Sequence, residues 1–348
     1  MGAHARGRAS GIAIVGVAWV AGACLCATGA RADAIADFYK GKQMTMVIGI
    51  PPGGGYDIYA RLVARHMSRH IPGEPTFIAQ NMPGGGELTA ANYVVNTATQ
   101  NGTVIGAVVR TVPFQPLYGN TAAKFDAMTV NWLGSSNQDV GLFVVWHTAK
   151  AQSLDDLFKN EVVVGANPAG SDTVTYANIL KYLFDAKLKI VSGYPGSEDI
   201  ALAMQRGEVE ATPSYSWAGV QRHADWLADK KVRILLQNGL KKLADFPDTP
   251  LIMDLARNAE DRSILELILG QTTFGRPYFM GPNVPKDRVA AMRDAFMATM
   301  ADQTFLEEAR KQKLEIDPIS GTEMQAVIAR VYKTPRDVVE RANAIRSR

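Results

Sequence analysis

Residues 44–57, MTMVIGIPPGGGYD, join a short apolar run to two prolines and three consecutive glycines. Apolar residues then recur at helical spacing as far as Met67. The pattern predicts a strand, a tight turn and a helix start. Glycines at such a junction let a ligand approach unpaired backbone N–H groups, and the helix dipole favours an anion there. This first glycine loop is a candidate anion site, although a flexible connection alone would also explain it.

A second triple glycine follows the predicted strand over residues 75–80. It lies in Asn81-Met82-Pro83-Gly84-Gly85-Gly86 and again precedes a predicted helix. Because ligands gather outside the carboxyl ends of parallel strands, the two loops are expected to meet at one sheet edge. Neither loop is a nucleotide motif: Gly-Lys-Ser/Thr does not follow the glycines, and residues 53–58 lack the last glycine of the dinucleotide fingerprint.

The first 32 residues predict a cleaved secretory leader. Arg6 and Arg8 precede the apolar residues 11–26, and Ala30-Arg31-Ala32 offers small residues for a signal peptidase. Both cysteines, Cys24 and Cys26, lie in this segment, so cleavage after Ala32 would leave no thiol for disulfides, thiolate metal sites or cysteine nucleophiles. Lipidation at Cys24 is the alternative, disfavoured because Ala21-Gly22-Ala23 lacks the large aliphatic residue typical of such sites.

The charge balance gives no support for a nucleic-acid partner. The chain has 37 Lys plus Arg against 34 Asp plus Glu, and the leader holds three of the arginines and no acid. The mature chain would be formally neutral, whereas nucleic-acid binding needs a basic patch or stripe. A mature length near 316 residues exceeds what one core usually organises, so two lobes are expected.

Further polar residues follow predicted strands. Arg110 comes after the strand over residues 103–109, as either a ligand-facing cation or a surface arginine, and Asn137 and Asp139 lie where the chain is expected to cross between lobes. A second alternating set of strands and helices over residues 154–211 predicts another parallel sheet. Its strand-to-helix junctions end at Ser171 and Ser197, either of which is a candidate helix cap.

Catalytic constellations are sparse. There is no Gly-x-Ser-x-Gly elbow, and the histidines are scattered except for His66 and His70. That pair stands among arginines, which favours a solvated basic helix face over a metal site. Asp57 either stabilises the helix dipole or orients the glycine loop and bonds a ligand amine or water. Tyrosines at loops and junctions are pocket or packing residues; they are Tyr56, Tyr194 and Tyr215.

Ordered motifs along nearly the whole mature chain resemble the Bug family of extracytoplasmic solute receptors, the substrate-binding subunits of tripartite tricarboxylate transporters. The motifs that carry the resemblance are PPGGGYD at 51–57, ARL at 60–62, NMPGGG at 81–86, NGT at 101–103, GS at 170–171, GYPGS at 193–197, GEVE at 207–210 and FPDTP at 246–250. The resemblance implies an α/β type II periplasmic binding protein, with two lobes joined by crossover hinge strands that close on a ligand.

The resemblance also implies which residues bind a carboxylate, in part through bridging waters. In the first lobe they lie in two glycine-rich loops that bind through backbone amides; the loop residues are Gly53, Gly54, Gly55, Pro83, Gly84, Gly85 and Gly86. In the second lobe they are Gly170, Ser171, Gly196, Ser197 and the segment Ser214-Tyr215-Ser216, predicted to follow a strand at 209–211. Tyr56 replaces a small hydroxyl residue, and Ser214-Tyr215 replaces Phe-Asp, so these positions bear on ligand identity.

The predicted organisation is a leader over residues 1–32, lobe 1 over 33–138, lobe 2 over 139–245 and a return to lobe 1 over 246–348. The predicted function is capture of a small organic carboxylate for delivery to membrane transporter subunits, by a periplasmic monomer without cofactor, metal or catalytic residues. A sensor subunit for a signalling partner is an alternative. An enzyme acting on a carboxylated metabolite is disfavoured, since only Asp57 and Asp139 are candidate acid–base groups near the cleft.

Overall fold

The structure is a computed structural model that describes residues 1–2, 34–168 and 170–348. The predicted leader, its cleavage site and both cysteines lie outside these residues. Within the described segments, no helix has the length and apolar character needed to cross a membrane.

The strands and helices follow in an alternating order after a helical segment at residues 34–39. The strands are β1 (Gln43–Ile48), β2 (Thr76–Asn81), β3 (Val104–Ala107), β4 (Asn131–Ser135), β5 (Gly141–Trp146), β6 (Val162–Ala166), β7 (Leu188–Ser192), β8 (Ala211–Ser216), β9 (Val232–Asn238), β10 (Pro277–Met280) and β11 (Ile319–Ser320). The helices are α1 (Gly55–Met67), α2 (Leu88–Asn96), α3 (Asp156–Lys159), α4 (Asp172–Tyr182), α5 (Ser197–Arg206), α6 (Trp217–Arg222), α7 (Ala224–Ala228), α8 (Ala259–Leu269), α9 (Lys286–Ala301), α10 (Gln303–Lys311), α11 (Gly321–Val331) and α12 (Arg336–Arg346).

The strands form two sheets, one for each lobe. The first has the order β11-β4-β10-β3-β1-β2 and the second the order β7-β6-β8-β5-β9. The chain crosses from β4 to β5 and returns to β10, so the first sheet combines two separate parts of the sequence. The mixed α/β architecture agrees with the predicted two-lobed fold.

Both sheets are mixed, so the prediction of a parallel second sheet is wrong in part. β6 pairs in parallel with β7 and β8, but β5 runs antiparallel to β8 and β9. In the first sheet, β1 is parallel to β2 and β3, whereas β10 is antiparallel to β3 and β4. β11 also runs antiparallel, to β4.

Burial explains the strand assignments. All six residues of β5 are buried, as expected for a strand covered on both faces. Edge strand β2 alternates between exposed and half-buried residues. The last helix, α12, packs against α4 of the second lobe as well as α8. The C-terminal segment therefore contacts both lobes.

Two local predictions differ from the structure. The helix predicted over residues 322–342 is divided into α11 and α12, because Pro335 has no N–H and disfavours helical backbone at Thr334. The strand predicted at 209–211 begins at Ala211 and continues to Ser216. Ser214 and Tyr215 therefore lie within β8 rather than in a following loop.

Candidate functional site

The first glycine loop leads from β1 into the N-terminus of α1, as predicted. Gly53 has a φ of 89°, in the region that favours glycine, whereas the N-cap Gly54 has a φ of −73° that any residue can adopt. No side chain caps this helix end. The first N–H groups of α1 are therefore available to an anion at the positive end of the helix dipole.

Asp57 holds this loop in shape. Its carboxylate accepts hydrogen bonds from Gly53 N (2.9 Å), Arg61 Nε (2.9 Å) and Asn81 Nδ2 (2.8 Å). Burial alone would raise the pKa of Asp57, but these bonds keep the pKa below its ordinary value. Asn81 also donates to Ile50 O at 2.8 Å, so one network joins the loop to the end of β2. The structure places Asp57 in the loop-orienting role.

The second glycine loop has an unusual backbone. Gly84, Gly85 and Gly86 have φ values of 137°, 56° and 63°, and Glu87 continues the run with 71°. Such values are rare for residues other than glycine, so this path depends on the glycines. The two loops meet because β1 and β2 are paired in parallel, and Met82 N donates to Ile48 O at 2.8 Å.

Buried Glu87 links the second glycine loop to the end of β3. Its Oε2 accepts from Val109 N at 2.6 Å. It also fills the space beside Gly49, where an added Cβ would lie 2.6 Å from Oε2. Burial raises the pKa of Glu87 to about 7, opposed by the Val109 N–H and by Arg276. The motifs assign no role to this residue.

Arg110 lies at the same edge but has carboxylate partners of its own. Its guanidinium contacts Asp139 at the hinge and Asp172 in the first turn of α4. Burial opposes the charge, but the attraction of Asp139 outweighs it and raises the pKa of Arg110. Arg110 is thus neither the free ligand cation nor the surface residue that the sequence allowed. It joins the two lobes.

A second cation, Arg276, lies beside the first glycine loop. Its guanidinium stacks over the ring of Tyr56 at 4.2 Å and over that of Tyr59 at 4.9 Å. The Tyr56 hydroxyl also faces Arg110 N at 3.5 Å. Tyr56 therefore supports a cation at the edge of the cleft.

Asn137 lies in the first hinge crossing, together with Asp139. Asn137 O accepts from Ser135 Oγ (2.8 Å) and from Gly275 N (3.0 Å). Asn137 Oδ1 is buried and has no hydrogen-bond partner within the described part of the chain. The backbone N–H of Asp139 donates to Thr272 O at 2.8 Å. Thr272 lies in the segment that returns to the first lobe before β10, so the outgoing and returning segments are hydrogen-bonded to each other.

The second-lobe junctions also meet at one edge. Ser171 caps α4 by accepting from Val174 N at 3.4 Å, as predicted, and Gly170 precedes it with a φ of 85°. Asn167 Nδ2 donates to Tyr194 O at 3.0 Å and joins the two junctions. The N-cap of α5 is Gly196 and not Ser197, so the predicted capping role of Ser197 is wrong.

Tyr215 is packed inside the second lobe and does not contribute a ring to the cleft wall. Its side chain is buried against Trp226, and its hydroxyl faces His223 Nε2 at 3.3 Å. Side chains alternate along a strand, so Ser214 points to the other face of β8. A Cβ added to Gly141 would clash with Ser214 Oγ. The sequence prediction places Tyr215 in a loop because it ends the strand too early; recognising residues 211–216 as one strand would place Tyr215 in the core.

A cavity of about 800 Å³ lies between the lobes beside these elements. Its lining includes Trp217, Arg222 and Asp245 from the second lobe and Arg310, Lys313 and Glu315 from the first. Tyr59, in the second turn of α1, donates from its hydroxyl to Glu315 O at 3.0 Å, so α1 contacts a residue of the cavity lining. Another cavity, of about 600 Å³, has Gln138 and Thr272 in its lining, and neither cavity is lined by the site residues predicted from the sequence.

Half-buried Glu315 lowers the stability of the folded protein when its carboxyl group is ionised. Burial raises its pKa to about 7 from the ordinary 4.5, helped by Asp139, Asp317 and Asp245 and opposed by Arg276. Below about pH 4.5 the Glu315 carboxyl group is protonated in both the folded and the unfolded protein, so it does not affect stability. The free energy of unfolding falls as the pH rises from there through about 7, because the unfolded protein loses this proton first. We expect Glu315→Gln to stabilise the protein by about 1–3 kcal/mol at pH 8 and by much less at pH 4.5.

Thermal unfolding at both pH values measures this effect. Glu340 is a suitable control because its side chain is 67% exposed and its ion pair with Arg336 lies on the surface. Glu340→Gln should leave the melting temperature nearly unchanged. An equal change for Glu315→Gln at the two pH values would contradict the assigned ionisation.

The histidine pair faces helix α10 and not solvent. His66 is buried, with Nε2 at 2.6 Å from Glu308 Oε2, and His70 Nε2 lies 2.8 Å from Asp302 Oδ2. The expectation of a solvated basic face is therefore wrong at these two positions. Among the described residues, no group of three or more His, Cys, Asp or Glu side chains is arranged to hold a metal ion.

Four residues of this region are not predicted as site residues from the sequence motifs. They are Glu87, Asp172, Arg276 and Glu315. Arg276 lies far along the chain from the glycine loops, and only the return of the chain through β10 brings it to them. The residues that flank Arg276 in the sequence give no indication that it contacts the glycine-loop region.

No family model matches the chain. Two curated relatives do. A UPF0065 protein from the gbd 5′ region of Cupriavidus necator is 24% identical over 354 residues, covering 95% of this chain and 96% of the relative. Protein BugT of Bordetella pertussis is 24% identical over 210 residues, covering 55% of this chain and 60% of BugT.

Solved structures share the fold. A TctC solute-binding protein from Polaromonas has a TM-score of 0.71 at 19% identity, covering 87% of this chain and 99% of that protein. The periplasmic binding protein BugD has 0.56 at 16%, covering 88% and 99%. R. palustris Rpa4515 with adipate has 0.56 at 17%, covering 87% and 97%. The chain thus has the fold of solved solute-binding proteins, and its similarity to a curated Bug protein agrees with the resemblance seen in the motifs.

Proposed function

We propose that this protein captures a small organic carboxylate between its two lobes and delivers it to a tripartite tricarboxylate-type membrane transporter. The observation that carries the proposal is the pair of glycine loops at the ends of the parallel strands β1 and β2. Their exposed backbone and the uncapped start of α1 suit an anion. The bound adipate in Rpa4515 supports a carboxylate as the ligand class.

The proposed contacts come from both lobes. In the first lobe, backbone N–H groups of Gly53 to Gly55 and Gly84 to Gly86 hold the carboxylate. In the second lobe, the junctions ending at Ser171 and Ser197 close over it together with half-buried Ser214. Tyr56 and Asn137 contribute from the rim and hinge. Asp57 and Glu87 shape the loops without touching the ligand.

The proposed delivery and location rest on proteins that this chain resembles. Relatives with this fold include a named periplasmic binding protein, which supports a periplasmic protein here. We infer further that the leader is cleaved after Ala32 and that the receptor acts as a monomer toward transporter subunits. Lobe closure would bury the ligand and present one surface to the transporter.

A thermal-shift screen tests the proposed function. Di- and tricarboxylates, including adipate, aromatic carboxylates, amino acids and nucleotides are added separately to the purified protein. Because binding to the native state stabilises it by about 2.7 kcal/mol at a hundredfold excess over Kd, a true ligand should raise the melting temperature by several degrees. A shift with a nucleotide alone, or turnover of a bound carboxylate, would contradict the proposal.

A further inference from the structure

The backbone of Arg276 is held by hydrogen bonds to Ser135 and Ser136, at the end of β4. It directly precedes β10, its N–H donates to Ser135 Oγ at 2.9 Å, and its carbonyl accepts from Ser136 N at 3.2 Å. The guanidinium is held between two aromatic faces, those of Tyr56 and Tyr59. Both ends of the residue are thus constrained, and little side-chain entropy remains to be lost when a ligand binds.

The hydrogen-bonding capacity of this guanidinium is only partly used. Nη1 donates to Gly275 O at 2.6 Å, and Nε is buried without a partner in the described structure. Nη2 points toward the first turn of α1, where it lies 3.9 Å from the position of a Cβ added to Gly55. No carboxylate of the described residues forms an ion pair with Arg276, in contrast to Arg110.

The surroundings of Arg276 also favour an added anion. Glu87 and Glu315 are the acidic groups whose pKa values respond to its charge, and burial raises both pKa values to about 7. At neutral pH these two carboxyl groups are therefore only partly ionised. The cation and the uncapped helix start then give this end of the cleft a positive potential.

We infer that Arg276, held between Tyr56 and Tyr59, binds the carboxylate through Nη2 and makes the cleft select acids over their neutral amides. This inference rests on the proposed function and names the residue that sets its charge preference. A guanidinium adds to the backbone N–H contacts a full positive charge and planar donors whose geometry matches a carboxylate. Tyr56 acts as a positioning residue for Arg276.

The test compares acids with matched amides. Calorimetry measures the affinity of wild type for adipate and adipamide, and for the best carboxylate of the thermal-shift screen and its amide. Arg276→Gln should weaken carboxylate binding by about 10–100-fold and leave amide binding within about threefold, because one charge-assisted contact is lost. Arg276→Lys keeps the charge without the planar fork and should fall between the two.

Arg288 provides the matched control. Its guanidinium also stacks on an aromatic ring, that of Phe38 at 3.5 Å, and donates to Asn101 O, away from the glycine loops. Arg288→Gln should leave the acid-to-amide ratio unchanged. Melting temperatures report on folding, and if Arg276→Gln does not fold, Arg276→Lys and the salt dependence of wild-type binding carry the test.

The outcomes separate this inference from the proposed function. If wild type binds a carboxylate and Arg276→Gln retains the acid-to-amide ratio, the assignment of Arg276 is wrong and the proposed function stands. An unaltered ratio in Arg276→Lys with salt-independent wild-type binding leads to the same conclusion. If wild type binds none of the carboxylates, both are wrong.

Discussion

Gly54→Asp is expected to abolish carboxylate binding while the protein still folds. Gly54 has a φ of −73°, and an added Cβ meets only the end of the flexible Ile50 side chain. Aspartate is a favourable N-cap, so the cost in stability should be small. Its charge, however, would lie where the ligand carboxylate binds. Two like charges about 4 Å apart repel by about 4 kcal/mol at a protein surface, which corresponds to about a thousandfold loss of affinity.

Gly54→Asn separates charge from shape. Asparagine has the same size and caps a helix equally well, so both variants occupy the same N–H groups. Calorimetry with the carboxylate found by the screen should show a much smaller loss for asparagine. Gly85→Asp should also abolish binding, with some added strain because Gly85 has a φ of 56°. If Gly54→Asp and Gly54→Asn lower the affinity equally, an anion at this helix start is excluded.

Asp57→Ala should reduce both stability and affinity. The substitution leaves the Gly53 N–H and the Arg61 guanidinium without their shared acceptor, and the Asp57 side chain is only 4% exposed. A cost of about 2–3 kcal/mol is expected for the buried network. The loop would then have to be ordered by the ligand, which should weaken binding by about tenfold. Denaturant unfolding and calorimetry measure the two effects.

The chain offers a matched control in helix α8. Asp261 is also the third residue of its helix, has a side chain that is 2% exposed, and accepts from the backbone and Nε of Arg257, which is four residues away. Asp261→Ala should therefore cost a similar free energy of unfolding but leave affinity unchanged. If the two variants lose affinity equally, general destabilisation and not loop order explains the result.

The sequence predicts the glycine loops because their signal is local. Glycines, flanking strands and the following helical period are contiguous, and parallel pairing of β1 with β2 then brings the loops together. Ser171 as a helix cap has the same local origin.

Contacts across large sequence distances are not predictable in this way. Arg276 reaches Tyr56 only through the antiparallel return strand β10, and Arg110 is paired by Asp172 of the other lobe. The predicted loop position of Tyr215 is wrong because strand alternation, which directs it into the core, depends on where β8 ends. The His66 and His70 environment likewise depends on the packing of α10, which follows more than two hundred residues later.

The contact of Arg110 with Asp139 and Asp172 has a consequence for ligand exchange. An ion pair that spans the lobes lowers the free energy of the closed arrangement whether or not a ligand is present. The empty receptor would then populate a binding-competent state more often, and less of the ligand's binding energy would be spent on closure. The same contact would have to break when the lobes separate, so it would also slow the release of a bound ligand.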